Sequence, residues 1–128
     1  MTRKELAVSL HVPGNNCAHS VLKAYGDMTG LDEKTASGIA NGFGGGVRSG
    51  EICGAISGGV MALGLIAQNN GVTDLRGLTK DYVSKFAEKY GHLRCDELKE
   101  KGVPCNELIG FAAETLEEFV TAVEGGNK

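Results

Sequence analysis

The sequence predicts an all-α fold: a single compact domain of about five or six helices around a buried, glycine-rich central helix. Three observations carry this. Apolar residues recur at helical spacing along most of the chain. Sustained apolar–polar alternation, the mark of strands, is absent. The 128 residues include only two prolines and no tract that reads as a linker, so residues 1–128 form one domain. At 41% hydrophobic and 23% charged, the chain has a globular composition and enough length to bury a core without disulfides.

The first clear helix carries Cys17, Val21, Leu22 and Tyr25 on one face, with Asn15 or Asn16 as its cap. Gly26 and Gly30 are stop signals. A short helix begins after Asp32 and groups Ala36, Ile39 and Ala40. Then Gly42–Gly50 places five glycines in nine residues, a flexible or tight connection into the next helix. This loop is not a nucleotide-binding signature. Val47 stands where GxGxxG needs its last glycine, and Glu51 stands where a phosphate loop needs lysine.

Ile52–Ala67 is 16 uncharged residues, short of the roughly 20 that a bilayer span needs. It reads as a helix buried on every side. Gly54, Gly58, Gly59 and Gly64 each cost about 1 kcal/mol of helix propensity relative to alanine, which implies close approach of another backbone or a bound group. Residues 35–73 contain only two charged side chains, Arg48 and Glu51, and so mark the centre of the molecule. Leu78, Tyr82, Val83, Phe86 and Tyr90 form the next stripe, ended by Gly91. Asp96–Lys101 is a short helical turn stopped by Gly102. The last helix opens at Pro104 and buries Leu108, Ile109, Ala112, Leu116, Phe119, Val120 and Val123, leaving Glu114, Glu117 and Glu118 outside.

Net charge is −3, with the acidic excess in the C-terminal third, so composition offers no case for nucleic-acid binding. The apolar stretch after Arg3-Lys4 is broken by Ser9 and His11, too weak for a signal-peptide core. A cytoplasmic protein is expected, and there four cysteines serve as ligands or redox groups more often than as structural disulfides. The cysteines, Cys17, Cys53, Cys95 and Cys105, contain no CxxC pair but share a placement: each stands at the start of a helix. Free N–H groups and the helix dipole at such positions favour a thiolate and lower its pKa. The plain alternative is that each cysteine packs as a small hydrophobe.

The segment Gly42-Phe43-Gly44-Gly45-Gly46, followed by Gly50-Glu51-Ile52-Cys53-Gly54-Ala55-Ile56-Ser57-Gly58, resembles the signature of the redox-active C_GCAxxG_C_C family. Cys17-Ala18 upstream, Arg94-Cys95-Asp96-Glu97-Leu98 downstream and Cys105 complete the pattern over residues of about 15 to 123. The family name writes Gly-Cys-Ala where this chain reads Cys53-Gly54-Ala55. The resemblance implies four functional cysteines and a redox role. A similar four-cysteine module looks like part of the split-Soret cytochromes, where it is thought to hold an iron–sulfur cluster. Without CxxCH here, haem is not implied.

Four thiolates suit a [2Fe–2S] or [4Fe–4S] cluster. On that reading Cys17, Cys53, Cys95 and Cys105 are the ligands. Gly44, Gly45 and Gly46 bring backbone N–H groups to the cluster, Gly54, Ala55 and Gly58 leave room for it, and Arg48 and Arg94 offset its charge. Structural zinc is a competitor, but its usual close ligand pairs are missing. A metal-free thiol–disulfide switch is the stronger rival, pairing Cys95 with Cys105 and Cys17 with Cys53. His19 falls about 200° around its helix from Cys17 and reads as a surface residue. His92 caps carbonyls, and Ser57 bonds a backbone carbonyl inside its helix. A homodimer is expected through the apolar faces of the central and last helices, with a redox partner protein besides.

Overall fold

A computed structural model describes residues 1–11 and 15–126. Among them are eight α-helices: α1 (Arg3–His11), α2 (Cys17–Ala24), α3 (Gly26–Thr29), α4 (Glu33–Ala40), α5 (Gly54–Asn69), α6 (Leu75–Tyr90), α7 (Cys95–Glu100) and α8 (Cys105–Gly126). The only strand-like feature among the described residues is an isolated antiparallel bridge between Ile52 and Arg94. The fold is all-α and forms one hydrophobic core, with α5 at its centre.

The helix count exceeds the expected five or six. α3 is a single turn that starts at Gly26, which the sequence offers as a stop. α1 was not anticipated at all, although it carries a capping box: Glu5 N donates to Thr2 Oγ1 at 3.0 Å and Thr2 N donates to Glu5 Oε1 at 2.9 Å. It lays Leu6, Ala7 and Leu10 against the core and packs along α8 and α2.

Local signals hold elsewhere. Asp32 caps α4 through Thr35 N at 2.7 Å, and Gly30 and Gly91 end their helices in the left-handed conformation. Ile39, expected beside Ala36 and Ala40 on the inner face, is exposed instead. The central helix begins at Gly54, two residues later than Ile52, and is not buried all round: Val60, Met61, Gly64 and Leu65 are half-buried along one flank, and Ile52 is exposed.

Two glycines of α5 set its distance from α2. A Cβ at Gly58 would meet the Ala18 backbone, with Ala18 Cα at 2.9 Å. A Cβ at Gly54, one turn earlier, would meet Cys17 Sγ and stand 2.9 Å from Phe43 O. Gly58 therefore serves helix crossing, not space for a bound group. The same crossing draws the starts of α2 and α5 together. Gly59 instead makes room for the Tyr82 ring, and around Gly64 a Cβ would meet nothing within 4 Å.

On its far side, α5 faces α6 and α8. Tyr25 and Tyr82 donate to the consecutive carbonyls of Ala113 and Ala112 on α8, at 2.9 and 3.0 Å. Phe86 and Phe111 meet edge to face at 4.9 Å between centroids, flanked by Tyr82–Phe119 and Tyr90–Phe111 contacts of the same type. Phe119, Glu114, Glu117 and Glu118 lie as expected, with Phe119 half-buried and the glutamates exposed.

Candidate functional site

Each cysteine does stand at a helix start, and a different local device holds each one. Cys17 opens α2 behind its cap Asn16, whose Oδ1 accepts from His19 N at 2.8 Å. The Asn16 amide also donates to Ala40 O and Asn41 O, tying this helix start to the end of α4. Cys53 is the residue before α5, and Cys95 is the first residue of α7. Two backbone bonds flanking the Ile52–Arg94 bridge join them: Cys53 N to Leu93 O at 2.8 Å, and Cys95 N to Glu51 O at 2.6 Å. Cys105 opens α8 and is exposed.

These devices bring all four thiols to the wall of one cavity of about 160 Å³. That is roughly ten times the space a single water needs. Gly44, Gly45, Arg48 and Asn16 also line it, as do Val103 and Leu108. Two further residues, His11 and Lys99, line it and are not among the candidate site residues that the sequence marks. Lys99 lies one turn after Cys95 on α7, a spacing that points there once Cys95 is taken as the helix start. His11 arrives from α1, with Nδ1 2.8 Å from Asn106 Oδ1 on α8; nothing local in the sequence connects it to a cysteine.

Arg94 does not line the cavity. Its guanidinium faces outward and bonds Glu51 at 3.0 Å and both Asp96 carboxylate oxygens at 2.9 and 3.1 Å. It clamps the bridge that carries Cys53 and Cys95, and offsets surface carboxylates instead of cavity charge. Gly46 is turned against the Glu51 backbone, where a Cβ would lie 2.5 Å from Glu51 N.

The loop before Cys53 is strained rather than merely flexible. Gly45, Gly46, Val47 and Arg48 are four successive residues with positive φ, between 58° and 68°. For Val47 and Arg48 this backbone is costly, and such cost gathers at functional sites. The turn closes with Glu51 N donating to Gly46 O at 2.9 Å.

The electrostatics correct the expectation of lowered thiol pKa values. Burial pushes the Cys53 thiol up to about 11, against the pull of the Ala55 and Ile56 N–H groups at the start of α5 and with the help of Cys17 and Cys95. Cys95 is also raised, by burial first, with Lys99 opposing. Desolvation outweighs the helix start because these thiols face protein and each other, not water. His19 is corrected too: it is buried, and burial together with nearby Lys23 lowers its pKa. His92 Nδ1 stands 3.7 Å from a Glu97 carboxylate oxygen. Ser57 Oγ reaches Cys53 O at 3.5 Å, as its place in the helix suggested.

All four cysteines are free thiols. Among the described residues, no three His, Cys, Asp or Glu side chains converge on a point that would hold a single metal ion. The family described as "Putative redox-active protein (C_GCAxxG_C_C)" matches residues 15–119. The chain belongs to this family. No curated protein and no solved structure matches it.

Membership gives the four cysteines their setting, and the geometry resolves the order of the central motif. In the family name cysteine follows glycine, whereas here Cys53 precedes Gly54. A side chain at 54 would collide with Cys17 Sγ and Phe43 O. The backbone before α5 carries its thiol into the cavity from position 53. Among the described residues, no helix is long and apolar enough to cross a membrane.

Proposed function

We propose that this family member holds an iron–sulfur cluster through Cys17, Cys53, Cys95 and Cys105, for electron transfer or redox sensing. One observation carries the reading: four thiols from four separate helix starts line one cavity. The thiols surround a space instead of meeting at a point, which suits a multi-atom group better than a lone zinc ion. A bound cluster would supply one-electron chemistry at near-constant structure.

The chain's own residues have definite tasks in this scheme. The thiols must lose their protons to ligate. Because burial holds the Cys53 proton firmly, that loss accompanies metal binding and does not precede it. Lys99 and Arg48 supply positive charge at the cavity wall, and Gly44 and Gly45 allow the backbone to approach. Val103 and Leu108 limit water there.

Protein purified without oxygen should be brown and contain iron and sulfide in whole-number ratio to protein. Serine at position 17, 53 or 95 should lower both. Protein that stays colourless after reconstitution with iron and sulfide overturns the reading.

The metal-free thiol–disulfide switch has its own support, since Cys17 Sγ lies against Gly54, the neighbour of Cys53, and all four thiols are free. It predicts four alkylatable thiols after reduction and two or none after mild oxidation. The raised Cys53 pKa makes that thiol a slow nucleophile.

Free thiols fit a reducing, cytoplasmic setting. Electron transfer would require a redox partner protein. The half-buried flank of α5, with Phe43, Ile52, Val60, Met61 and Val83 along an apolar groove, is the face on which a second copy would form the homodimer. Light scattering decides this: a mass of 13.3 kDa excludes the dimer, and twice that supports it.

A further inference from the structure

Beside the thiol cavity lies a second one, of about 230 Å³, that shares Asn16 and Arg48 with it. Asn15, His19, Ser37 and Asn41 complete its lining, which contains no carboxylate. Every lining residue is polar, unlike those of the apolar groove along α5.

Three features of this wall ask for a ligand. His19 is 6% exposed, and its buried Nε2 has no hydrogen-bond partner among the described residues. Buried polar atoms are rarely left in this state without an occupant to satisfy them. Arg48 is held in a left-handed conformation, φ 58°, next to Val47 at φ 60°. Its Nη2 donates to Asn41 O at 2.7 Å and to Asn41 Oδ1 at 3.2 Å, which aims the guanidinium while leaving its other N–H groups without partners among the described residues. Arg3 and Arg94, in contrast, each bond a carboxylate. Finally, the charges nearest His19 are Lys23 and Glu33, and these pair with one another, so they leave the Arg48 charge uncompensated.

From this wall we propose that the pocket between α2, α4 and the glycine loop binds a small tetrahedral oxyanion. Arg48 is its charged donor, with Ser37 and the His19 ring as further hydrogen-bonding groups. A guanidinium without a carboxylate partner, fixed from behind by a carbonyl, is the arrangement that recognises phosphate- or sulfate-like groups. A metal cation would find no anionic ligand there, and a neutral ligand would leave the guanidinium unpaired. Arg48 borders both cavities, so the anion would meet the same charge that the proposed function turns toward the thiols.

The test titrates inorganic phosphate, inorganic sulfate and phenyl phosphate into the full chain, followed by calorimetry and by the NMR signals of His19, Ser37 and Asn41. Saturable binding at millimolar concentration or below is expected, with shifts confined to this pocket. Arg48→Gln should weaken it about tenfold or more, the scale of a charge-assisted contact. Ser37→Asp, which adds a carboxylate at a half-buried position of α4, should abolish it without touching the thiols. Lys99→Gln should leave it unchanged. Phenyl phosphate binding as well as phosphate would show that the pocket reads the end of an ester; binding of the free ions alone would identify them as the ligand. Absence of saturable shifts, or an equal loss in Lys99→Gln and Arg48→Gln, overturns the proposal, the second because it would put the anion among the thiols.

Discussion

At one end of α5, the starts of α2, α5, α7 and α8 surround an open cavity; along its other flank, α6 and α8 interlock their aromatic rings. Phe86 and Tyr82 are fully buried and every polar atom of the Tyr82 ring is satisfied. At the thiol end, by contrast, a loop with four positive-φ residues runs beside a cavity that all four cysteines line, two of them buried, Cys17 half-buried and Cys105 exposed. Stability is thus concentrated on the aromatic side, which leaves the thiol side free to carry strain and empty volume. The proposed cluster would need that division, since a close-packed interior tolerates no such space.

The comparison breaks first at the aromatic side. Phe86→Ala should cost about 3–5 kcal/mol of unfolding free energy, because it empties a ring-sized volume amid rigid neighbours. Chemical denaturation measures it. The folded fraction should still load iron at the wild-type ratio, so a lower iron content per folded molecule would mean the two regions are not separate.

The thiol side contributes to stability through protons. Cys53 has an ordinary value of 9.0 that burial raises to about 11, so the folded state holds its proton where the unfolded chain releases it. Its contribution is fully present below pH 9 and lost as pH rises through about 11. In metal-free protein, wild type should therefore lose about 2–3 kcal/mol more than Cys53→Ala over that window. Equal pH dependence of the two proteins would show that the thiol is better solvated than its burial implies.

Gly58→Ala probes the seam between the regions. The new methyl group meets the Ala18 backbone, which cannot yield as a side chain would. A destabilisation of about 1–3 kcal/mol is expected, along with weaker iron retention, since the crossing of α2 and α5 sets the distance from Cys17 to Cys53. Full retention of iron would separate helix packing from the site.

The smallest effect belongs to Arg94→Gln. Its ion pairs with Glu51 and Asp96 are exposed, and water and salt screen such pairs. The unfolding midpoint should stay within error of wild type. Hydrogen exchange at the Cys53 and Cys95 amides should nonetheless quicken, because the clamp on their bridge is gone. Unchanged exchange would show that the two backbone bonds hold without it.

Much of the site was legible because its devices are local. Asn16, Asp32, Gly30 and Gly91 start and stop helices through groups a few residues away. Cysteines placed next to such signals are therefore located at helix starts by sequence alone. The capping box at Thr2 and Glu5 is equally local and marks α1, but a nine-residue helix whose apolar residues Leu6, Ala7, Val8 and Leu10 lie bunched together leaves only a faint periodic trace.

The chain's own order of residues thus determined the all-α class, the helix starts and the identity of the four cysteines, since each depends on contacts within about one helical turn. Tertiary structure alone decided that the four starts share a cavity, that His11 and Lys99 join them while Arg94 faces away, and that His19 is buried. It also reversed the direction expected for the Cys53 and Cys95 thiols. A helix dipole is a property of one segment, but desolvation depends on what every other segment covers, and only the packed chain supplies that.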